Sequence, residues 1–300
     1  MFRVCQIDGG GAKGIVPFAV IKNIEKEVGK PFHEIFDLVV GSSIGGIINA
    51  MLTIYDGSAE ELMPKFKESL KVIFSKRFRI PIIQPKYSRD VAAKELGKYL
   101  GGTKLSDAKT KMMFTSVNMV DGRTHYFKSW EEDDGSLDTV GAINRTYAAP
   151  LFFGALVDEK NKAVWLDGGT SNNNCPLVET YIETLRQQWV DNTEVHILSI
   201  GCGESSYSVP FNEAKKYKNI RQVSYFMDPV DGGLARLVSA DTQVEWLKKL
   251  DQVTPCFSFQ RIQKKDMDPK INGMDKIKYL DEYEKIGDEI AKQIDYDYLK

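Results

Sequence analysis

The sequence predicts an α/β fold with a mostly parallel central sheet flanked by helices, and three observations carry that expectation. A short apolar strand, a glycine-rich turn and a helix follow one another twice within residues 4–52. Strands and helices go on alternating after residue 110, the pattern of a sheet built by crossover connections. A single strong hairpin signal, Asp121-Gly122 between two apolar runs, marks an antiparallel portion, because both turn positions need positive φ.

Taken in order, residues 4–7 read as a strand, residues 8–14 as a glycine loop, and residues 15–28 as a helix with Ile21, Ile24 and Val28 on one face. Pro17 falls in the first turn of that helix, where its missing N–H is harmless. Residues 36–40 form a second apolar strand, followed by a turn at 41–45 and a helix to about residue 52. The hairpin strands cover 113–120 and 124–130, and a later strand at 163–166 runs into Asp167-Gly168-Gly169. Residues 195–200 form a strand ending at Gly201, helical patterns cover 179–189, 234–250 and 275–294, and residues 256–262 suit an edge strand. With no repeat, low-complexity tract or long linker, the expectation is one domain over 1–300, with a catalytic core to about 205 and a helical and edge-strand portion from 206.

Composition narrows the function classes. Forty Lys plus Arg against forty-two Asp plus Glu leave a net charge of −2, so no basic stripe exists to neutralise a phosphate backbone and nucleic-acid binding is not expected. The 42% hydrophobic and 27% charged content is that of a folded globular chain. Residues 1–4 run straight into patterned sequence without a secretory leader, so a cytoplasmic location is expected. The longest apolar stretch, 44–54, is broken by Gly45, Gly46, Asn49 and Thr53 and falls short of the roughly 20 residues of a membrane span. Four cysteines, Cys5, Cys175, Cys202 and Cys256, show no CxxC spacing and are expected to be buried, reduced and inert. No His or Cys cluster has zinc spacing, and Asp266-Met267-Asp268 fails as a calcium loop at Pro269 and Lys270, so neither metal nor cofactor is expected.

Ser43 is the candidate nucleophile. It stands in Gly41-Ser42-Ser43-Ile44-Gly45, between a strand and a helix, where a tight turn exposes a serine Oγ and flanking glycines keep side chains off the crowded helix and sheet. Gly9, Gly10 and Gly11, in Asp8-Gly9-Gly10-Gly11-Ala12-Lys13-Gly14, offer uncovered amides at a helix N-terminus, suited to an oxyanion hole. Lys13 adds positive charge for the oxyanion or for a substrate phosphate. A nucleotide-binding module is the competing reading, since Gly9, Gly11 and Gly14 also satisfy G-x-G-x-x-G. Its acidic residue at the end of the second strand is missing, because Asp37 begins that run and Gly41 ends it. A P-loop fails because Lys13 precedes the last glycine.

The base is Asp167 or His196. Ser43, Asp167 and His196 follow the chain order of an α/β-hydrolase triad, yet His196 lies inside a strand instead of in a loop beyond one. Asp167 ends an apolar strand, where open α/β sheets carry functional groups, and can act directly if it is partly dehydrated. Asn172, Asn173 and Asn174 follow, with amides able to orient its turn, while His33 and His125 suit surface or structural roles.

Together the glycine loop 8–14, the Gly41 to Gly45 turn and the Asp167-Gly168-Gly169 triplet resemble, in order, the three signature blocks of the patatin-like phospholipases. Ala148-Ala149-Pro150-Leu151-Phe152-Phe153 and Leu198-Ser199-Ile200-Gly201-Cys202-Gly203 extend the likeness, as does 272–294, similar to the closing helix of bacterial members. The resemblance implies a three-layer fold and a Ser43–Asp167 dyad without histidine. It also implies Gly9, Gly10 and Gly11 as the oxyanion hole and hydrolysis of acyl esters of phospholipids or other lipids. Members include enzymes switched on by partners or by nucleotide second messengers. Lys13 stands where Arg is commonest, and Cys175 where the family usually has proline. A lipid substrate calls for peripheral membrane contact, for which the alternating basic and apolar residues 74–83 are the candidate.

Overall fold

The structure, a computed structural model, describes residues 1–75, 84–190, 194–204, 211–216, 218–227 and 240–300. Eight strands form one sheet: β1 (Phe2–Ile7), β2 (Leu38–Ser42), β3 (Lys111–Asn118), β4 (Arg123–Lys128), β5 (Leu156–Asp158), β6 (Ala163–Asp167), β7 (Val195–Ile200) and β8 (Phe257–Ile262). The helices of the first half are α1 (Ile15–Val28), α2 (Phe32–Ile35), α3 (Ile44–Ile54), α4 (Ala59–Ile73), α5 (Arg89–Leu100), α6 (Glu132–Gly135) and α7 (Thr139–Thr146). The second half contributes α8 (Leu177–Arg186), α9 (Phe211–Ala214), α10 (Asn219–Met227), α11 (Asp241–Val253) and α12 (Leu280–Ile290).

The sheet order is β5-β6-β3-β2-β1-β7-β8, with β4 paired to β3 outside that path. β3, β2, β1, β7 and β8 run parallel, β4 and β6 pair antiparallel with β3, and β5 pairs antiparallel with β6, so the sheet is mixed and mostly parallel in its core. Strand alternation divides the apolar residues between two faces. Cys5, Ile7, Val39, Phe114 and Leu198 join α1, α3, α4, α5 and α12 in one core. Val4, Leu38, Val40, Met113 and Ile197 face α8 and α11 in the other. Helices thus cover both sides of the sheet, giving the three layers expected.

The second strand lies two residues later than its apolar run suggests, reaching Ser42, because the parallel ladder with β3 continues to Thr115. The last predicted helix is shorter, covering Leu280–Ile290, with the residues before it crossing the sheet's end as an irregular strap. The helix read at 234–250 begins at Asp241; residues 234–239 lie outside those described. Residues 76–83 of the candidate membrane segment lie outside them too. Cys5, Cys175 and Cys202 are buried, but Cys256 is exposed, since it occupies the turn that leads into the edge strand with φ of 60°. Among the described residues no helix is long and apolar enough to cross a membrane.

Candidate active site

The register of β3 explains why two residues far apart in sequence meet. β4 occupies one edge of β3, so β2 and β6 share the other. β2 ends with Ser42 opposite Thr115, and β6, arriving antiparallel, ends with Asp167 opposite Ser116. The two strands therefore abut end to end, and Ser43 and Asp167 emerge at the join. Gly168 makes the abutment possible, because a Cβ there would lie 2.1 Å from Thr115 Oγ1 and 2.6 Å from Ser42 Oγ.

Ser43 Oγ donates a hydrogen bond of 2.6 Å to Asp167 Oδ2. The serine backbone is strained, with φ of 52° and ψ of −121°, conformations that cost about 1–3 kcal/mol for a residue with a side chain. Two contacts hold it there. Gly41 and Gly45 pack against one another and against Ile7, where a Cβ on either would come within 2.4 Å of backbone. The Ser43 N–H also donates to Thr146 Oγ1 at 2.9 Å, and that hydroxyl donates in turn to the Thr115 carbonyl at 2.6 Å.

Asp167 is 5% exposed, and burial pushes its carboxyl up to about 6, against the opposing hydrogen bonds from Ser43 and from the Gly169 N–H, which reaches Oδ1 at 2.7 Å. Such a carboxylate is a better proton acceptor than an exposed one.

The glycine loop lies across from this pair; a Cβ on Gly9 would be 3.2 Å from Ser43 Cβ. Of the three amides expected to face an oxyanion, the Gly9 N–H is already engaged, donating to the Asn174 carbonyl at 3.3 Å, while Asn174 Nδ2 donates back to Gly9 O at 3.3 Å. The Gly10 and Gly11 amides have no acceptor among the described residues. Gly11 adopts φ of 59°, and Gly10 lies so close to Cys202 that a Cβ would come within 2.5 Å of its Cβ.

Lys13 does not face this space. Its side chain is buried, and Nζ donates to the Gly203 carbonyl at 3.0 Å and to Asn272 Oδ1 at 2.7 Å, because the loop turns back over the end of β7. The charge expected at a substrate instead ties the loop to the C-terminal strap. Beneath the loop, Asp8 is held by Arg261 of β8, Nη1 to Oδ1 at 3.0 Å and Nη2 to Oδ2 at 2.6 Å. Gln6, Ser199 and Cys175 complete that buried cluster.

His196 is remote. It pairs with Arg3 at the opposite end of the parallel strands, about 20 Å short of Ser43 along the strand direction. Its Nδ1 contacts Ser258 Oγ at 2.8 Å, its ring stacks on Tyr298 at 4.5 Å, and burial pushes it down to about 4. The nucleotide reading loses its support as well. Asp37 accepts the Arg3 N–H at the start of β2, and Gly14 is needed for packing, since a Cβ would lie 2.4 Å from Ile44 Cγ1. No group of three or more potential metal ligands occurs among the described residues.

An apolar slot opens beside Ser43, lined on its inner side by Ile44 and Ile47 of α3, Phe66 and Leu70 of α4, and Leu96 of α5. α4 and α5 go beyond the elements expected from the sequence, and Ser58 and Glu61 form a capping box at the start of the first of them.

A patatin-like phospholipase model matches residues 7–180, a span that contains the glycine loop, Ser43 and Asp167. The chain belongs to the patatin-like phospholipase family. A cGAMP-activated phospholipase of Escherichia coli (strain TW11681) is 29% identical over 227 residues, covering 69% of this chain and 64% of that protein. One from Vibrio cholerae serotype O1 is 28% identical over 236 residues, with 69% and 66% covered. Patatin-like protein 4 of Arabidopsis thaliana is 25% identical over 204 residues, with 59% and 51% covered. The chain thus spans less than two thirds of the length of these relatives. Among solved structures, VipD from Legionella pneumophila covers 95% of this chain and 67% of its own at 12% identity, with a TM-score of 0.37, too low to add weight.

Proposed function

We propose that this patatin-like protein is a serine lipid acyl hydrolase of phospholipase A type. Ser43 is its nucleophile, Asp167 its base, and the Gly10 and Gly11 amides its oxyanion donors. The observation that carries the reading is the 2.6 Å hydrogen bond from a strained, partly accessible Ser43 to a buried carboxylate whose pKa is raised to about 6. Asp167 takes the hydroxyl proton as Oγ attacks the ester carbonyl. The developing oxyanion is met by the two open amides, each such donor being worth about 3 kcal/mol of barrier. The alcohol leaves with a proton returned by Asp167, and water then hydrolyses the acyl-enzyme by the same route. Neither a metal nor a histidine takes part.

The apolar slot supports an acyl chain as the group transferred, since it begins at Ser43 and is lined by aliphatic and aromatic side chains. The substrate would be drawn from a membrane surface. Three relatives carry cGAMP activation in their names, and the same dependence on a cyclic dinucleotide is proposed for this chain. The test is fluorophosphonate labelling followed by peptide mapping, with mass spectrometry of products from defined phospholipids in the presence and absence of cGAMP. Labelling at Ser43, with released fatty acid lost in Ser43→Ala and Asp167→Asn, is the expected result. Ester hydrolysis that survives both substitutions overturns it.

A further inference from the structure

Deacylation by the proposed route asks for one acceptor more than acylation does. Ser43 Oγ carries a single hydrogen, which Asp167 Oδ2 already accepts at 2.6 Å. A water attacking the acyl-enzyme carries two. Asp167 removes one, and the group that accepts the other decides whether a lone pair faces the carbonyl carbon.

The turn after β6 presents three asparagines in a row, and the scaffold uses two of them. Asn173 Nδ2 donates to Thr124 Oγ1 at 3.1 Å and to Asn172 Oδ1 at 3.2 Å. Gln243 Nε2 donates to Asn172 O at 2.8 Å and to Asn173 Oδ1 at 3.3 Å. The Asn174 side chain instead reaches the glycine loop, where Nδ2 donates to Gly9 O at 3.3 Å. That bond fixes the sense of the amide, since the reverse would set two acceptor oxygens together. Asn174 Oδ1 meets no donor among the described residues.

Two glycines make room for this oxygen. A Cβ on Gly9 would lie 2.2 Å from Asn174 Oδ1 and 3.2 Å from Ser43 Cβ, which puts the oxygen beside the nucleophile. A Cβ on Gly169 would lie 2.8 Å from Asn174 Oδ1 and 3.1 Å from Asp167 Oδ1. The amide and carboxylate oxygens are therefore no more than about 6 Å apart, a gap that one water hydrogen-bonded to both bridges.

We propose that Asn174 is a further catalytic residue, whose Oδ1 accepts a hydrogen bond from the water that hydrolyses the acyl-enzyme and aims it at the carbonyl carbon. The inference rests on the hydrolase reading of Ser43 and Asp167. The water's other O–H bond breaks as Asp167 takes that proton and the oxygen bonds to the carbonyl carbon. The tetrahedral centre then expels Ser43 Oγ, which recovers the proton from Asp167, and the fatty acid leaves. An alcohol attacking in place of water has one hydroxyl hydrogen only. Asp167 takes it, and nothing is asked of Asn174.

The experiment supplies p-nitrophenyl butyrate to the full chain in buffer containing methanol and measures the ratio of methyl butyrate to butyrate formed. Both products come from one acyl-enzyme, so the ratio is blind to acylation and to the amount of folded protein, and damage to the oxyanion hole slows both branches alike. Asn174→Ala is expected to raise the ratio about five-fold, the worth of one hydrogen bond. Asn174→Asp, which keeps an acceptor oxygen, is expected to leave it near that of the unmodified chain. Asn174→Ser, whose oxygen falls short of the same position, is expected to raise it and serves if Asn174→Ala does not fold. A ratio that stays level in Asn174→Ala, or rises equally in Asn174→Asp, overturns the role of Asn174, and loss of both products in Ser43→Ala shows that the hydrolase reading survives. Absence of both products from the unmodified chain overturns the two together.

Discussion

The Arg261 guanidinium grips both carboxylate oxygens of Asp8 across 253 residues of sequence, at 3.0 and 2.6 Å, directly beneath the glycine loop. Both side chains are almost wholly buried. Removing one partner from a buried pair strands the other charge, at a cost of about 3–5 kcal/mol. Arg261→Met is therefore expected to lower the urea midpoint strongly, and Asp8→Asn with Arg261→Met to recover much of it. Equilibrium unfolding of the two variants measures this. Full recovery by the double variant of acyl hydrolysis as well would show that the pair has no part in shaping the loop.

Asp167 gives the site a pH signature. As the proposed base it works only when ionised, so kcat/KM should climb with pH around a midpoint near 6, where burial has moved its carboxyl. Stability runs the opposite way. The folded state binds this proton more tightly than the unfolded chain, whose carboxyl titrates near 3.8. The contribution is complete below pH 4 and is lost as pH rises through about 6. Asp167→Asn should therefore be inactive yet more stable at pH 8, by roughly 3 kcal/mol, with little difference at pH 4. Thermal melts at the two pH values check it.

His196 should contribute nothing to that profile. Burial keeps its imidazole neutral through the working range, with a pKa pushed down to about 4. His196→Gln is expected to retain the midpoint near 6 and most of the activity while losing stability through the lost stacking on Tyr298. Disappearance of the midpoint in this variant would return histidine to the mechanism.

Thr146 controls the nucleophile through its backbone. Thr146→Val removes the acceptor of the Ser43 N–H and leaves a buried donor unsatisfied, a loss of about 1–3 kcal/mol. The expected result is a fall in kcat of about ten-fold or more with KM little changed, and recovery in Thr146→Ser. Stopped-flow measurement of acylation reads it directly; equal losses in the Val and Ser variants would make the residue merely structural.

Much of this site could be read before folding because its chemistry is local. Ser43 needs glycines two residues to either side, and Asp167 needs an apolar strand in front of it and Gly168 behind. What escaped is what depends on distant partners. Lys13 looks like a substrate ligand in sequence, but Gly203 and Asn272, which claim its ammonium, lie 190 and 259 residues away. Gly9 seemed equivalent to its neighbours until the Asn174 carbonyl occupied its amide. Thr146 sits among ordinary helix residues, and nothing in its spacing connects it to Ser43. The abutment of β2 and β6 is likewise a matter of register on β3, which no motif encodes.

The family match closes at residue 180, yet β7, the parallel neighbour of β1, begins at Val195. Arg261 and Asn272 come later still. Excising the matched segment would remove β1 except Ile7 as well as β7, leave Asp8 as a naked anion in an apolar setting and detach the lysine that moors the loop. Expression trimmed to the recognised span should therefore give aggregates instead of a miniature enzyme, and any transplant of this chemistry into another scaffold has to carry the tail along with the head.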